Sequence, residues 1–376
     1  MILRNCKIID PFYVIEAGYI EIENSFIKDV GAGKKVEGED LSGLIVLPGF
    51  VDSHIHGALG FDTMDADESG LKRMEQFLYS KGVTTFLPTT MSCPFENLVR
   101  TLDFIKDYKA KYPSTSVEGV HVEGPYISQE KKGAQNPNFV RPPKIEEVKQ
   151  LVENYKDIIK VITISPEIEN AIEAIKIFEQ SGITTSLGHS AATYDEFFKG
   201  YMAGSRRMTH FFNGMSPFHH REVGLVGGGL IHEDMYIELI CDKIHSTPEA
   251  IKLVFKNKDL DKVILITDSM RATGLKPGEY ELGKQKVIVN ETSARLTDGT
   301  LAGSILTLNE AVKNVISITG FPLKDVLKSA VTAPLNSIRL YDRGRIRKGF
   351  KADLVVIDEK FDILMTIKNG RVVYSV

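Results

Sequence analysis

The sequence is poor in the features that mark several protein classes. Cysteine occurs only at Cys6, Cys93 and Cys241. An odd, widely spaced set argues against a disulfide framework and fits a reducing, cytoplasmic setting. No apolar run approaches the ~20 residues needed to span a bilayer. The net charge is −4, so no basic field points to nucleic acid. Met1-Ile2-Leu3-Arg4-Asn5 lacks a charged region leading into a long apolar stretch, so no secretory signal is expected. Tryptophan, low-complexity tracts and blocks of like charge are also absent. With these classes set aside, 376 residues suffice for a large single-core domain and a smaller one.

What is present centres on Val51-Asp52-Ser53-His54-Ile55-His56-Gly57. The apolar run Leu44-Ile45-Val46-Leu47 leads into it through Pro48-Gly49-Phe50 and counts as the first of eight strand candidates. Residues two apart on an extended segment point the same way, so His54 and His56 can present two imidazoles to one point. Such a pair suits a borderline divalent metal such as zinc or iron(II). Taken alone, an H-x-H is as often a pair of ordinary surface histidines.

The ends of the chain differ from its middle. Short strand patterns separated by turn residues fill the first 48 residues and return from about Ala352 onward, where Asn369-Gly370 signals a hairpin. One small β-domain built from both termini, residues 1–48 with 345–376, is therefore expected. Between them, apolar runs alternate with helical patterns such as Leu71–Leu78. The runs after the first begin at Val83, Val117, Val161, Ile183, Arg207, Tyr236 and Val263. Eight β-α alternations predict an α/β fold, a (β/α)8 TIM barrel over residues 49–344. A doubly wound sheet is the alternative, and it would confine polar strand ends to one crevice. Gly227-Gly228-Gly229 lacks the spacing of a phosphate loop and reads as a flexible loop.

The strand ends carry the chemistry. Glu123 ends the third strand, His189 follows the fifth, His210 lies in the sixth, Asp242 and His245 follow the seventh, and Asp268 follows the eighth. A barrel would gather them on its C-terminal face. Glu123, His189 and His210 make three ligands for one metal with an open position, the pattern of a catalytic site. His54 and His56 can hold a second ion with Glu123 bridging, and two ions ~3.5–4 Å apart would act on one water. Asp268 is then placed to take and return a proton. Singly, each residue has an ordinary reading as a turn, cap or surface group. Six at the same ends of predicted strands point to one site.

These residues resemble the amidohydrolase superfamily and, more narrowly, its N-acetylglucosamine-6-phosphate deacetylase family. The likeness runs the length of the chain. It rests on Pro48–Gly57, His121-Val122-Glu123-Gly124-Pro125-Tyr126, Lys131–Pro137, Gly188–Thr193 and Thr209–Met215. His220-Arg221-Glu222, Thr267-Asp268 and Asp298-Gly299-Thr300-Leu301-Ala302-Gly303-Ser304 complete it. The H-x-H alone marks only the superfamily. The Glu-Gly-Pro, Lys-Lys-Gly-Ala and Asp-Gly-Thr-Leu-Ala-Gly-Ser stretches together are far more specific.

The resemblance implies a barrel with a small β-sandwich or β-barrel domain, paired as a homodimer. It implies hydrolysis of the acetamide of N-acetylglucosamine 6-phosphate in amino-sugar catabolism and cell-wall recycling. It assigns the principal metal to Glu123, His189 and His210, with one or two ions per subunit and zinc or iron favoured. Ala134, Gln135, Asn213, Gly214, His245, Leu301, Ala302 and Gly303 are assigned to substrate, and Arg221 to the neighbouring subunit's phosphate. Two points depart from parts of the family. Some members lack the H-x-H and hold one ion. Some carry histidine where this chain has Gln135, which can donate a hydrogen bond to a substrate oxygen but carries no charge. Two rivals stay open: a dihydroorotase- or hydantoinase-like cyclic-amide hydrolase, and a metal-free oligomeric scaffold. The first typically uses a carboxylated lysine after strand four, where this chain has Ile164-Ser165-Pro166-Glu167.

Overall fold

The computed structural model describes residues 1–33 and 35–376. Eight strands drawn from both termini form one sheet. Its central join pairs Ile45–Pro48 antiparallel with Leu354–Ile357 and parallel with Ile2–Ile9. Side chains alternate across it, as a pleated strand requires. Val46, Leu354 and Val356 enter a core with Leu3, Ile8 and Ile20. Leu47, Val355 and Ile357 face the other way, into the main core. Buried Asp10 ties the two termini further, accepting from Arg345 Nε at 2.9 Å and from the Ile346 N–H at 2.8 Å. The Asn369-Gly370 hairpin forms as expected, with φ of 49° and 73°.

Leu44–Leu47 therefore belongs to this sheet, not to the barrel. The chain changes sheets at Gly49. The Gly49 N–H donates to Asp353 O and the next N–H, of Phe50, donates to Gly82 O, both at 2.9 Å. A Cβ on Gly49 would lie 2.2 Å from Thr84 Oγ1, so only glycine permits the crossing.

The barrel strands are Phe50–Ile55, Val83–Pro88, Val120–Glu123, Ile159–Ile164, Thr184–Leu187, Arg207–Met208, Tyr236–Ile240 and Val263–Ile266. Six of them, from Val120–Glu123 onward, form one parallel sheet, and the first two pair with each other. Bridges at Phe86–Val117 and Thr89–His121 link the second strand to the third. The Asp268 N–H donates to His54 O at 2.9 Å and closes the circle. A helix lies between each strand and the next, and another, Leu308–Thr319, follows the eighth after an insert. The first, Glu68–Tyr79, is capped by Asp67, which accepts from the Ser69 and Gly70 N–H groups, and it buries Leu71, Met74 and Leu78.

Three further features differ from expectation. Gly227–Gly229 is not a loop but part of the buried helix Gly224–Ile231. A Cβ on Gly228 would stand 2.5 Å from the Phe197 ring, and one on Gly229 would stand 2.5 Å from Met208 Sδ. The glycines let this helix press against its neighbours. The sixth strand is only two residues long, so Thr209 and His210 lie past its end. After the eighth strand comes an antiparallel insert, Gly278–Leu282, Gln285–Val289 and Ala294–Leu296. It packs on Met91, Ala134 and Met270.

Candidate active site and metal centre

His54 lies in the first barrel strand and His56 just past it. Glu123 is the last residue of the third strand. His189, His210 and Asp268 each sit two residues beyond a strand. All three take positive φ, at 49°, 29° and 49°. That conformation costs a non-glycine residue about 1–3 kcal/mol and concentrates at functional sites.

The donor atoms converge. His210 Nε2 stands 3.1 Å and His189 Nε2 3.3 Å from Glu123 Oε1, and the two nitrogens are 3.0 Å apart. His56 Nε2 stands 3.4 Å from Glu123 Oε2 and 3.1 Å from Asp268 Oδ1. His54 Nε2 stands 3.5 Å from both Glu123 Oε1 and Asp268 Oδ1. Glu123, His189 and His210 form one compact donor set, and His54, His56 and Asp268 form another.

The orientation of the imidazoles shows what the sets fit. Each histidine engages Nδ1 with a protein acceptor: His54 with Glu238 Oε2 at 2.9 Å, His56 with Thr89 O, His189 with Lys131 O and His210 with Asn213 O. A neutral ring that donates from Nδ1 keeps its lone pair on Nε2. The Nε2 lone pairs and carboxylate oxygens thus face one another with no hydrogen to share, an arrangement that calls for a cation. His54 Nε2 is buried without a hydrogen-bond partner. This is how metal-binding histidines are held, and the donors suit a divalent ion.

The imidazoles and carboxylates shift one another. Burial opposes charge on Glu123, but the facing histidines, His54 foremost, outweigh it and hold the carboxyl well below its ordinary range. Asp268 is lowered too, with His54 and His56 outweighing its burial. In turn Glu123 and Asp268 raise His56 and His189 against their burial, so without an ion these rings draw a proton to the place a cation would take. His121, beside His54, is kept neutral chiefly by burial. Its two nitrogens are used by Ser53 O and Thr163 Oγ1.

A cavity of about 220 Å³ opens over these donors. His56, Glu123, His189, His210 and Asp268 line it, as do the expected Ala134, Gln135, Asn213, Gly214, His245, Leu301 and Gly303. Ala302 does not; it is buried in the apolar cluster under the insert. Arg221 does not either; it is exposed on its loop, with Nη1 3.1 Å from His220 Nε2. Gln135 is held by two site neighbours, which leaves one N–H of its amide for a substrate oxygen. Its Nε2 donates to Glu123 Oε2 at 2.6 Å and its Oε1 accepts from the Ser92 N–H at 2.7 Å. His245 gives Nδ1 to Asp242 Oδ2 at 2.6 Å, which leaves Nε2 for the cavity.

Met91, Leu282 and Thr300 also line the cavity and were not foreseen. Neither was the buried pair Arg207–Glu238, with Nη2 to Oε1 at 2.7 Å. Its signal was a charged residue inside the apolar strand Tyr236-Ile237-Glu238-Leu239-Ile240.

The amidohydrolase family pattern matches residues 45–373. N-acetylglucosamine-6-phosphate deacetylase of Lysinibacillus sphaericus is 36% identical over 99% of this chain and 97% of its own. N-acetylgalactosamine-6-phosphate deacetylase of Escherichia coli O157:H7 is 33% identical over 84% of each. The crystal structure of N-acetylglucosamine-6-phosphate deacetylase from Thermotoga maritima superposes with a TM-score of 0.93 over 100% of both chains, at 44% identity. With its histidines, Glu123 and Asp268 gathered at one end of a closed barrel, this chain belongs to the amidohydrolase family and, within it, to the N-acetylglucosamine-6-phosphate deacetylases.

Proposed function

We propose that this chain hydrolyses the acetamide of N-acetylglucosamine 6-phosphate, giving glucosamine 6-phosphate and acetate. The observation that carries this reading is the facing set of Nε2 and carboxylate donors at the floor of a small cavity. Glu123, His189 and His210 would hold the principal ion, and His54 and His56, with Glu123 between the two sets, would hold a second. Zinc or iron(II) suits the donor set. A bound divalent ion supplies Lewis acidity to the amide carbonyl and makes water more acidic. Asp268 takes the proton of the attacking water on a carboxylate oxygen. It returns that proton to the amide nitrogen as the C–N bond breaks. His245 Nε2 orients the sugar or the carbonyl. Asn213, Gly214 and the Leu301–Gly303 segment, with Ala134 and Gln135 beside them, shape the substrate side. Gln135 acts there by holding Glu123.

Among the described residues, no lysine or arginine lines the cavity. A phosphate therefore calls for a cation from elsewhere. The exposed Arg221 suits that task across a homodimer, its planar fork binding phosphate oxygens bidentately. Residues 1–48 with 345–376 then form a small β-domain, 49–344 the catalytic barrel, and the enzyme works in the cytoplasm. No helix among the described residues is long and apolar enough to cross a membrane. The test is an amine-release assay with N-acetylglucosamine 6-phosphate, its galactosamine epimer, the unphosphorylated sugar and dihydroorotate side by side. Turnover of the first well above the others is expected. Preference for dihydroorotate would overturn the reading.

A further inference from the structure

We infer that Glu238, locked by Arg207, is a positioning residue that orients a histidine in each ion set and governs above all the affinity of the ion on the His54 side. The inference rests on the two-ion reading above.

Glu238 sits mid-strand with its side chain fully buried. A buried carboxylate is costly unless it is paired and hydrogen-bonded. Its Oε1 takes both Arg207 Nε, at 2.9 Å, and Arg207 Nη2, at 2.7 Å. Arg207 is itself fully buried and fixed on two further sides. Nη2 donates to Ser53 Oγ at 2.7 Å and Nη1 to Ser337 Oγ at 2.6 Å. The guanidinium thus ties the first, sixth and seventh barrel strands to the helix Ala333–Ser337.

The second oxygen, Oε2, faces the site. It accepts from His54 Nδ1 at 2.9 Å and from the His210 N–H at 3.0 Å. One atom therefore touches a histidine of each donor set. The four site histidines are not equivalent in this respect. His56, His189 and His210 donate Nδ1 to backbone carbonyls, while His54 alone donates to a carboxylate. A hydrogen bond to an ionised acceptor is the stronger kind and makes the opposite nitrogen a better metal donor. That opposite nitrogen is the buried, unpartnered His54 Nε2. On His210 the same oxygen pins the backbone where φ is strained at 29°.

Glutamine cannot replace Glu238. Its amide NH2 must meet either the Arg207 N–H groups or the His54 and His210 N–H groups, and both choices oppose donor to donor. Aspartate keeps the charge but ends one methylene short of His54.

The experiment strips the full-length protein with a chelator and titrates it with zinc alone, reading stoichiometry and dissociation constants. His54→Ala marks which ion belongs to the His54 side. In Glu238→Gln that ion's dissociation constant should rise ~10–100-fold, the usual cost of losing an outer hydrogen-bond partner, and the other ion's should rise less. Glu238→Asp, which keeps the Arg207 pairing and is the variant more certain to fold, should fall between. In 15N-histidine spectra of the stripped protein, the low-field Nδ1–H signal of His54 should move in both variants. If both variants bind both ions with parental affinity, whatever their Tm, the role is overturned. A parent protein that binds two ions yet ignores amino-sugar phosphates would overturn the proposed function alone.

Discussion

Glu123 presents Oε1 to His210 Nε2 at 3.1 Å and Oε2 to His56 Nε2 at 3.4 Å, so one carboxylate belongs to both histidine pairs. Loss of Glu123 should therefore be felt on both sides, whereas loss of a single histidine should be felt on one. His189→Ala or His210→Ala should lose the principal ion and activity together, because three ligands leave none to spare. His54→Ala should be milder, keeping the principal ion. Elemental analysis alongside turnover checks this. Full occupancy and turnover in His210→Ala would reject the assignment.

Asp268→Asn should leave substrate binding largely intact and lower kcat by at least ~10², because the amide keeps the shape of the carboxylate but cannot accept the water proton. Asp268 Oδ1 stands 3.1 Å from His56 Nε2, which puts the carboxylate among the donor atoms where the attacking water would sit. Steady-state kinetics separate the two parameters. A kcat close to the parent's would remove Asp268 from the proton path.

Gly228→Ala tests the close packing of the helix Gly224–Ile231 against Phe197. An alanine favours a helix by up to about 1 kcal/mol over glycine. The added methyl, however, would lie 2.5 Å from the Phe197 ring in a buried contact. Overpacking of this kind typically costs about 1–3 kcal/mol and should win. The denaturation midpoint should fall. A higher midpoint would mean that the helix moves aside freely.

Much of this site is legible in the sequence because its donor side chains mark strand ends. His54 and His56 obey the two-residue period of a strand, and Glu123 closes a run of apolar residues. Leu44–Leu47 reads both as a barrel strand and as part of residues 1–48, because an apolar run looks alike in either sheet, and only the packing of Gly49 against Thr84 reveals the crossing. Gly227–Gly229 has the composition of a loop, yet its helix is set by the Phe197 and Met208 surfaces it must approach. Arg207 and Glu238 are 31 residues apart and meet only when adjacent strands align. Gln135 sits in a recognisable stretch, but its partners, Glu123 and Ser92, come from other strand ends.

Arg221→Ala should mainly raise KM for the phosphorylated sugar, since phosphate binding is shared by ground and transition states. It should affect the unphosphorylated sugar little. Mixing Arg221→Ala with Asp268→Asn subunits tests the crossing. A mixed dimer has one site lacking both groups and one site intact, so activity should partly return. Subunit exchange with no return of activity would assign Arg221 to its own site or to none.

The most direct measurement is acetate release from N-acetylglucosamine 6-phosphate by chelator-stripped protein, before and after one divalent ion is restored. The account predicts negligible release from the stripped protein and recovery with zinc or iron(II), in proportion to the ion bound. Undiminished release from protein shown to hold no ion would contradict it, as would inactivity of the fully reloaded protein toward this substrate.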